Sequence, residues 1–92
     1  MIRATVKYHT KRPPIWALSL VVSLGIDPKE LWNDYHKEEL LSALDTHIRL
    51  FKYKRRNAMQ PLKAHRIEHA DDSITVYTMQ GNPCVTFQIE KV

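Results

Sequence analysis

The chain has 92 residues, with 14 Lys and Arg against 10 Asp and Glu, five His, and a single Cys. That length suits one small domain spanning residues 1–92, and a hydrophobic fraction of 43% argues against wholesale disorder. The lone cysteine, Cys84, excludes an internal disulfide framework and a Cys-based zinc cluster and fits a reducing, cytoplasmic setting, while the modest net charge of +4 conceals two strongly basic blocks.

Ile2, Ala4, Val6 and Tyr8 alternate with Arg3, Thr5, Lys7 and His9, the period of a half-buried strand with a basic outer face. Pro13 and Pro14 end it, because proline cannot continue a ladder and restricts the residue before it. Residues 15–24 are apolar nearly all round and read as a buried helix stopped by Gly25, with a buried strand as the competing assignment. The run is too short to span a bilayer, which takes about 20 residues. It also lacks the position and cleavage site of a secretory leader, so no membrane association is expected.

Asp27, Pro28 and Glu30 have the spacing of a capped helix start, with Leu31, Trp32 and Tyr35 on its apolar side. A bend is expected over residues 33–36, then a long helix over 37–56 whose buried stripe is Leu40, Leu41, Leu44, Ile48 and Phe51. Trp16, Trp32, Tyr35 and Phe51 read as core residues. Residues 57–61 end the helix. The period then changes to two: a weaker strand over 62–69, a strand around Ile74 and Val76, a turn at Gln80-Gly81-Asn82-Pro83, and a strand carrying Val85, Phe87 and Ile89. The expected fold is α+β, with an N-terminal strand, two or three helices, then three antiparallel strands, and the helices on one face of an antiparallel sheet. The other face would carry Arg3, Lys7, His9, Thr86 and Gln88.

The charge is blocky. Residues 1–26 hold Arg3, Lys7, Lys11 and Arg12 without an acid; residues 27–48 are net acidic; residues 49–66 hold Arg49, Lys52, Lys54, Arg55, Arg56, Lys63 and Arg66 without an acid; residues 67–92 are net acidic again. Basic blocks of this density attract phosphate polymers or acidic protein surfaces, although cations at a helix end also complement the macrodipole with no partner at all. The candidate binding residues are Arg3, Lys7, Arg49, Lys52, Tyr53, Lys54, Arg55, Arg56, Lys63 and Arg66, with Tyr53 either stacking on a base or covering the core. No RNP motif, GXXG loop or zinc-finger spacing is present, and residues 19–34 give only a faint helix-turn-helix pattern with an acidic recognition helix.

His65 and His69 on a strand lie about 13 Å apart, too far to share a metal, so no metal or other cofactor is expected. Cys84 reads as a small buried hydrophobe. With two glycines, used as a helix stop and a turn, the chain has no phosphate-cradling loop.

The order of a strand, helices and three antiparallel strands, with Leu62-Lys63-Ala64-His65-Arg66-Ile67 as the basic strand, resembles the RelE/ParE-type toxin scaffold. The resemblance implies RNA cleavage by His65, Arg66 and His69, residue types that between them can supply a base, an acid and a charge stabiliser. The chain departs from that pattern in residues 73–77, which hold no arginine, and in a last strand without a His, Tyr or Arg finish. The leading expectation is therefore a non-enzymatic regulatory domain that binds nucleic acid, RNA or DNA, through phosphates. The alternatives are an inhibitor or adaptor docking on an acidic protein, and the toxin; a homodimer is compatible with each.

Overall fold

The structure, a computed structural model, describes the chain apart from residues 27–28 and 62–63 and the side chains of Arg55, Ala64 and His65. Strand β1 (Ile2–Tyr8) leads through the Pro13-Pro14 break into helix α1 (Ile15–Leu24); a single 3₁₀ turn (Asp34–His36) precedes helix α2 (Lys37–Leu50). Strands β2 (Lys52–Arg55), β3 (Ala58–Pro61), β4 (Ala64–Ala70), β5 (Ser73–Thr78) and β6 (Pro83–Lys91) follow. The fold is α+β: a four-stranded antiparallel sheet in the order β1-β6-β5-β4, a separate β2-β3 hairpin, and two α-helices.

Alternation along β1, β5 and β6 sends Ile2, Ala4, Ile74, Val76, Val85, Phe87 and Ile89 to one face, where they share a buried cluster with Trp16, Ala17 and Leu20 of α1 and Leu44 and Ile48 of α2. Both helices thus cover the same face of the sheet. The register places Arg3 opposite Glu90, Thr5 opposite Gln88 and Lys7 opposite Thr86, so the uncovered face is polar. Thr86 Oγ1 lies 2.6 Å from His9 Nε2 and 2.9 Å from Thr75 Oγ1, a side-chain ladder that ties three strands on this open side.

Helix α1 ends as its sequence requires. Gly25 sits at φ 60° and donates its N–H to Val22 O at 3.2 Å, a left-handed cap that costs glycine no steric penalty. The helix is not buried all round, however. Ile15 and Val22 are 76% and 80% exposed, and Leu18 shares their side. Trp16, Ala17 and Leu20 are buried and Val21 and Leu24 pack against the core half-buried, because a two-layer domain has no third layer to cover the far side of the helix.

Two expected helical stretches are something else. Leu31, Trp32 and Tyr35 do not form a helix: Trp32 exchanges both backbone hydrogen bonds with Ile2, at 2.7 and 2.8 Å, and Tyr35 is 91% exposed. Asn33 accepts a hydrogen bond from the Tyr35 N–H at 3.1 Å, so an Asx-type turn competes with helix continuation while Ile2 on the edge strand takes the freed backbone groups. The proposed start at Asp27 and Pro28 lies outside the described residues. The long helix, in turn, stops at Leu50 rather than running to residue 56. Phe51 turns extended, and Lys52–Arg55 pairs antiparallel with Ala58–Pro61 around Arg56 and Asn57.

Phe87 is fully buried at the centre of the sheet. Phe87→Ala should cost about 3–5 kcal/mol in urea unfolding, and Gly25→Ala about 1 kcal/mol through its positive φ. Val22→Ala, on the exposed side of α1, should stay within about 0.5 kcal/mol of the parent.

Candidate nucleic-acid interface

The basic cluster at residues 52–56 is a β-ribbon. Arg55 pairs with Ala58 across a two-residue loop, and both loop residues have positive φ, Arg56 at 52° and Asn57 at 64°. Positive φ at both central positions is the requirement of a type I′ turn, which asparagine tolerates better than most residues. Along β2 the pattern is Tyr53 inward, with Lys52 and Lys54 outward. Tyr53 is 7% exposed and belongs to the core cluster, and with Lys54 it lines a groove shared with Pro14, Ile15 and Trp16 at the start of α1. Tyr53 is the only described residue of β2 and β3 that is buried, so this one ring anchors the ribbon to the body. Its role is to cover the core.

The structure divides the predicted binding residues by what their charge already meets. Arg3 Nε lies 3.4 Å from a Glu90 carboxylate oxygen across the β1-β6 pair. Arg49 Nε sits 3.0 Å from Asp45 one helical turn away. Arg66 lies 3.6 Å from Glu68 and stacks its guanidinium 4.1 Å from the centre of the Tyr77 ring. These three are neutralised locally. Lys52, Lys54 and Arg56 are exposed and, among the described residues, have no acidic partner; Lys7 is likewise unpaired. Lys63 and the side chain of Arg55 lie outside the described residues.

Lys7 does not join the ribbon in one surface. It projects from the open face of the sheet, whereas the ribbon is attached through Tyr53 to α1 on the covered face. Lys11 and Arg12, exposed and without an acidic partner among the described residues, precede Pro14, which lines the Tyr53 groove. Their signal in the sequence was the acid-free block of residues 1–26. Glu38 and Glu39 of α2 line, with Lys52, Leu50 and Met59, an open groove of about 1150 Å³.

The His65, Arg66 and His69 set is not assembled into one described site. Arg66 points to the open face beside Tyr77, while His69, on the opposite face of β4, places Nε2 2.8 Å from Asp45 on α2. The side chain of His65 lies outside the described residues. The other described histidines also have partners: His36 with Glu39, His9 with Thr86, and His47 with Ser23. Ser23 and His47 lie 2.8 Å apart, but the serine hydroxyl donates its proton to Leu20 O at 2.7 Å. Ser23 therefore accepts from the imidazole, the reverse of nucleophile activation.

Cys84 is fully buried, and burial pushes its thiol above the usual range, away from the thiolate that nucleophilic chemistry needs. Among the described residues no group of three His, Cys, Asp or Glu side chains could hold a metal ion, and no helix is long and apolar enough to cross a membrane. No family model matches the chain, no curated protein matches it, and no solved structure matches it.

Asp45 links α2 to the β4 edge. Burial alone would raise its carboxyl, but hydrogen bonds from His69 and Arg49 and the Arg49 charge outweigh burial and hold it below the usual carboxylate range. A depressed folded-state value means stability that is fully present above the unfolded value of about 3.9 and fades as pH falls through the folded one. Asp45→Asn should therefore lower stability by about 1 kcal/mol at neutral pH, with the gap to the parent closing below about pH 3. Urea midpoints of both proteins across that range measure it, and a constant gap would assign the loss to packing instead.

Proposed function

We propose that this chain is a non-enzymatic regulatory domain that binds nucleic acid through phosphate contacts made by the β2-β3 ribbon. The observation that carries the reading is the concentration of unpaired cations there. Lys52, Lys54 and Arg56 stand exposed on one short hairpin without an acidic partner among the described residues, while Arg3, Arg49 and Arg66 have carboxylates beside them. A cation already paired with a carboxylate must give up that partner before it can displace a counterion from a phosphate; an unpaired one need not. Backbone contact of this kind fixes position without reading sequence and gives an affinity that falls with salt.

The alternative, docking on an acidic protein surface, draws support from one feature. Leu50 and Met59, both exposed, line the groove beside Lys52, and apolar side chains bordered by cations suit a protein partner better than a phosphate backbone.

The two readings separate on salt dependence. With Lys52→Ala and Lys54→Ala combined, the slope of log affinity for nucleic acid against log salt should fall by about 2, because each phosphate contact contributes about 0.9. Both positions are exposed, so the unfolding midpoint should not move. An unchanged slope would remove the ribbon from the interface, and an absence of binding at low salt would leave the protein-docking reading in its place.

A further inference from the structure

We infer that the ligand is duplex DNA and that the β2-β3 ribbon enters its major groove tip first, with Arg56 and Asn57 meeting base edges; this rests on the nucleic-acid reading above and names its substrate. The argument starts from what the ribbon lacks. Sequence-tolerant binding of a single strand relies on exposed aromatic rings on which unstacked bases lie. The ribbon's tyrosine, Tyr53, is sealed into the core, and Phe51 at its root is half-buried with its ring stacked on His47 at 5.9 Å. Tyr35, the most exposed aromatic ring among the described residues, belongs to the 3₁₀ turn, whose Asp34 pairs with the amino terminus of Met1 at 2.8 Å, and not to the ribbon. A ribbon that presents cations and, among its described residues, no exposed aromatic ring fits a strand whose bases stay paired.

Shape then distinguishes the duplexes. Two antiparallel strands lie about 4.8 Å apart, and four residues of ribbon reach about 13 Å. The B-form major groove, about 12 Å wide and about 8.5 Å deep, admits a two-stranded ribbon of this size. The A-form major groove of RNA is too deep and narrow for side chains to read. The two-residue turn adds the third element. It places at the leading edge an arginine and an asparagine, the side chains that pair bidentately with guanine and with adenine in that groove. Lys52 and Lys54, one strand repeat apart on the outward side of β2, then lie behind the tip at the height of the flanking phosphates.

The test compares three ligands of one mixed sequence, a DNA duplex, the matching RNA duplex and the single DNA strand, with the parent and with Arg56→Gly combined with Asn57→Gly. Glycine adopts the positive φ of both positions, so this variant keeps the turn and removes only the side chains; circular dichroism and the unfolding midpoint verify that it folds. The expected result is DNA duplex binding about tenfold tighter than either other ligand, and a loss of about tenfold in the variant for the DNA duplex alone. Equal affinity for all three ligands, preference for the single strand or the RNA duplex, or an unchanged variant would overturn insertion and leave phosphate binding standing. Absence of binding to any of the three would overturn the nucleic-acid reading itself.

Discussion

The fold depends on one burial problem. Strand β6 occupies an inner position of the sheet and contributes Cys84, Val85, Phe87 and Ile89 to the core, flanked by Ile2 and Ala4 on one side and Ile74 and Val76 on the other. An apolar sheet face of this kind has to be covered, and with 92 residues the chain has two helices for the task. Trp16 and Leu20 of α1 with Leu44 and Ile48 of α2 close that face. The polar face needs no cover, since Thr5, Thr75, Thr86 and Gln88 are at home in water and partly bonded to one another.

The position of the ribbon follows from the same shortage of apolar cover. Once α2 has placed Leu44 and Ile48 against the sheet, the chain turns at Phe51 and spends one aromatic ring, Tyr53, on the remaining gap next to α1. The other described side chains of β2 and β3 are exposed, apart from a half-buried Gln60. A hairpin with a single buried anchor is held in place without being enclosed, and that leaves its cations free. Elsewhere the packing brings opposite charges together: Lys37 meets Asp72 across the gap between α2 and the β4-β5 turn, and Asp45 gathers His69 and Arg49. Local pairing of that kind supports the fold and lowers the charge available to a partner.

The elements with a clear period were legible from the chain. Alternation marked β1, β5 and β6, and a proline pair before and a glycine after an apolar run bounded α1 at residues 15–24. Sequence and structure part where two local signals compete. Lysines and arginines after Ile48 are good helix formers, and no glycine or proline stood between residues 37 and 56 to contradict them. The opposing signal was the alternation Phe51, Lys52, Tyr53, Lys54 followed by an asparagine, with a turn pair, Arg56-Asn57, that lacks the usual glycine. Trp32 was misplaced for a related reason: its spacing suits a helix, but its backbone groups found a better partner in Ile2, thirty positions earlier.

The candidate site divides in the same way. Composition determined that the chain carries two acid-free basic blocks, and therefore that it has cations beyond those its acids nearby in sequence can neutralise. Which cations remain free was decided only by tertiary structure, because an ion pair depends on distances that sequence separation does not set. Arg3 and Glu90 stand at opposite ends of the chain and meet because β1 and β6 are neighbours. Arg66 and His69 are three residues apart, and the alternation of a strand sends them to opposite faces.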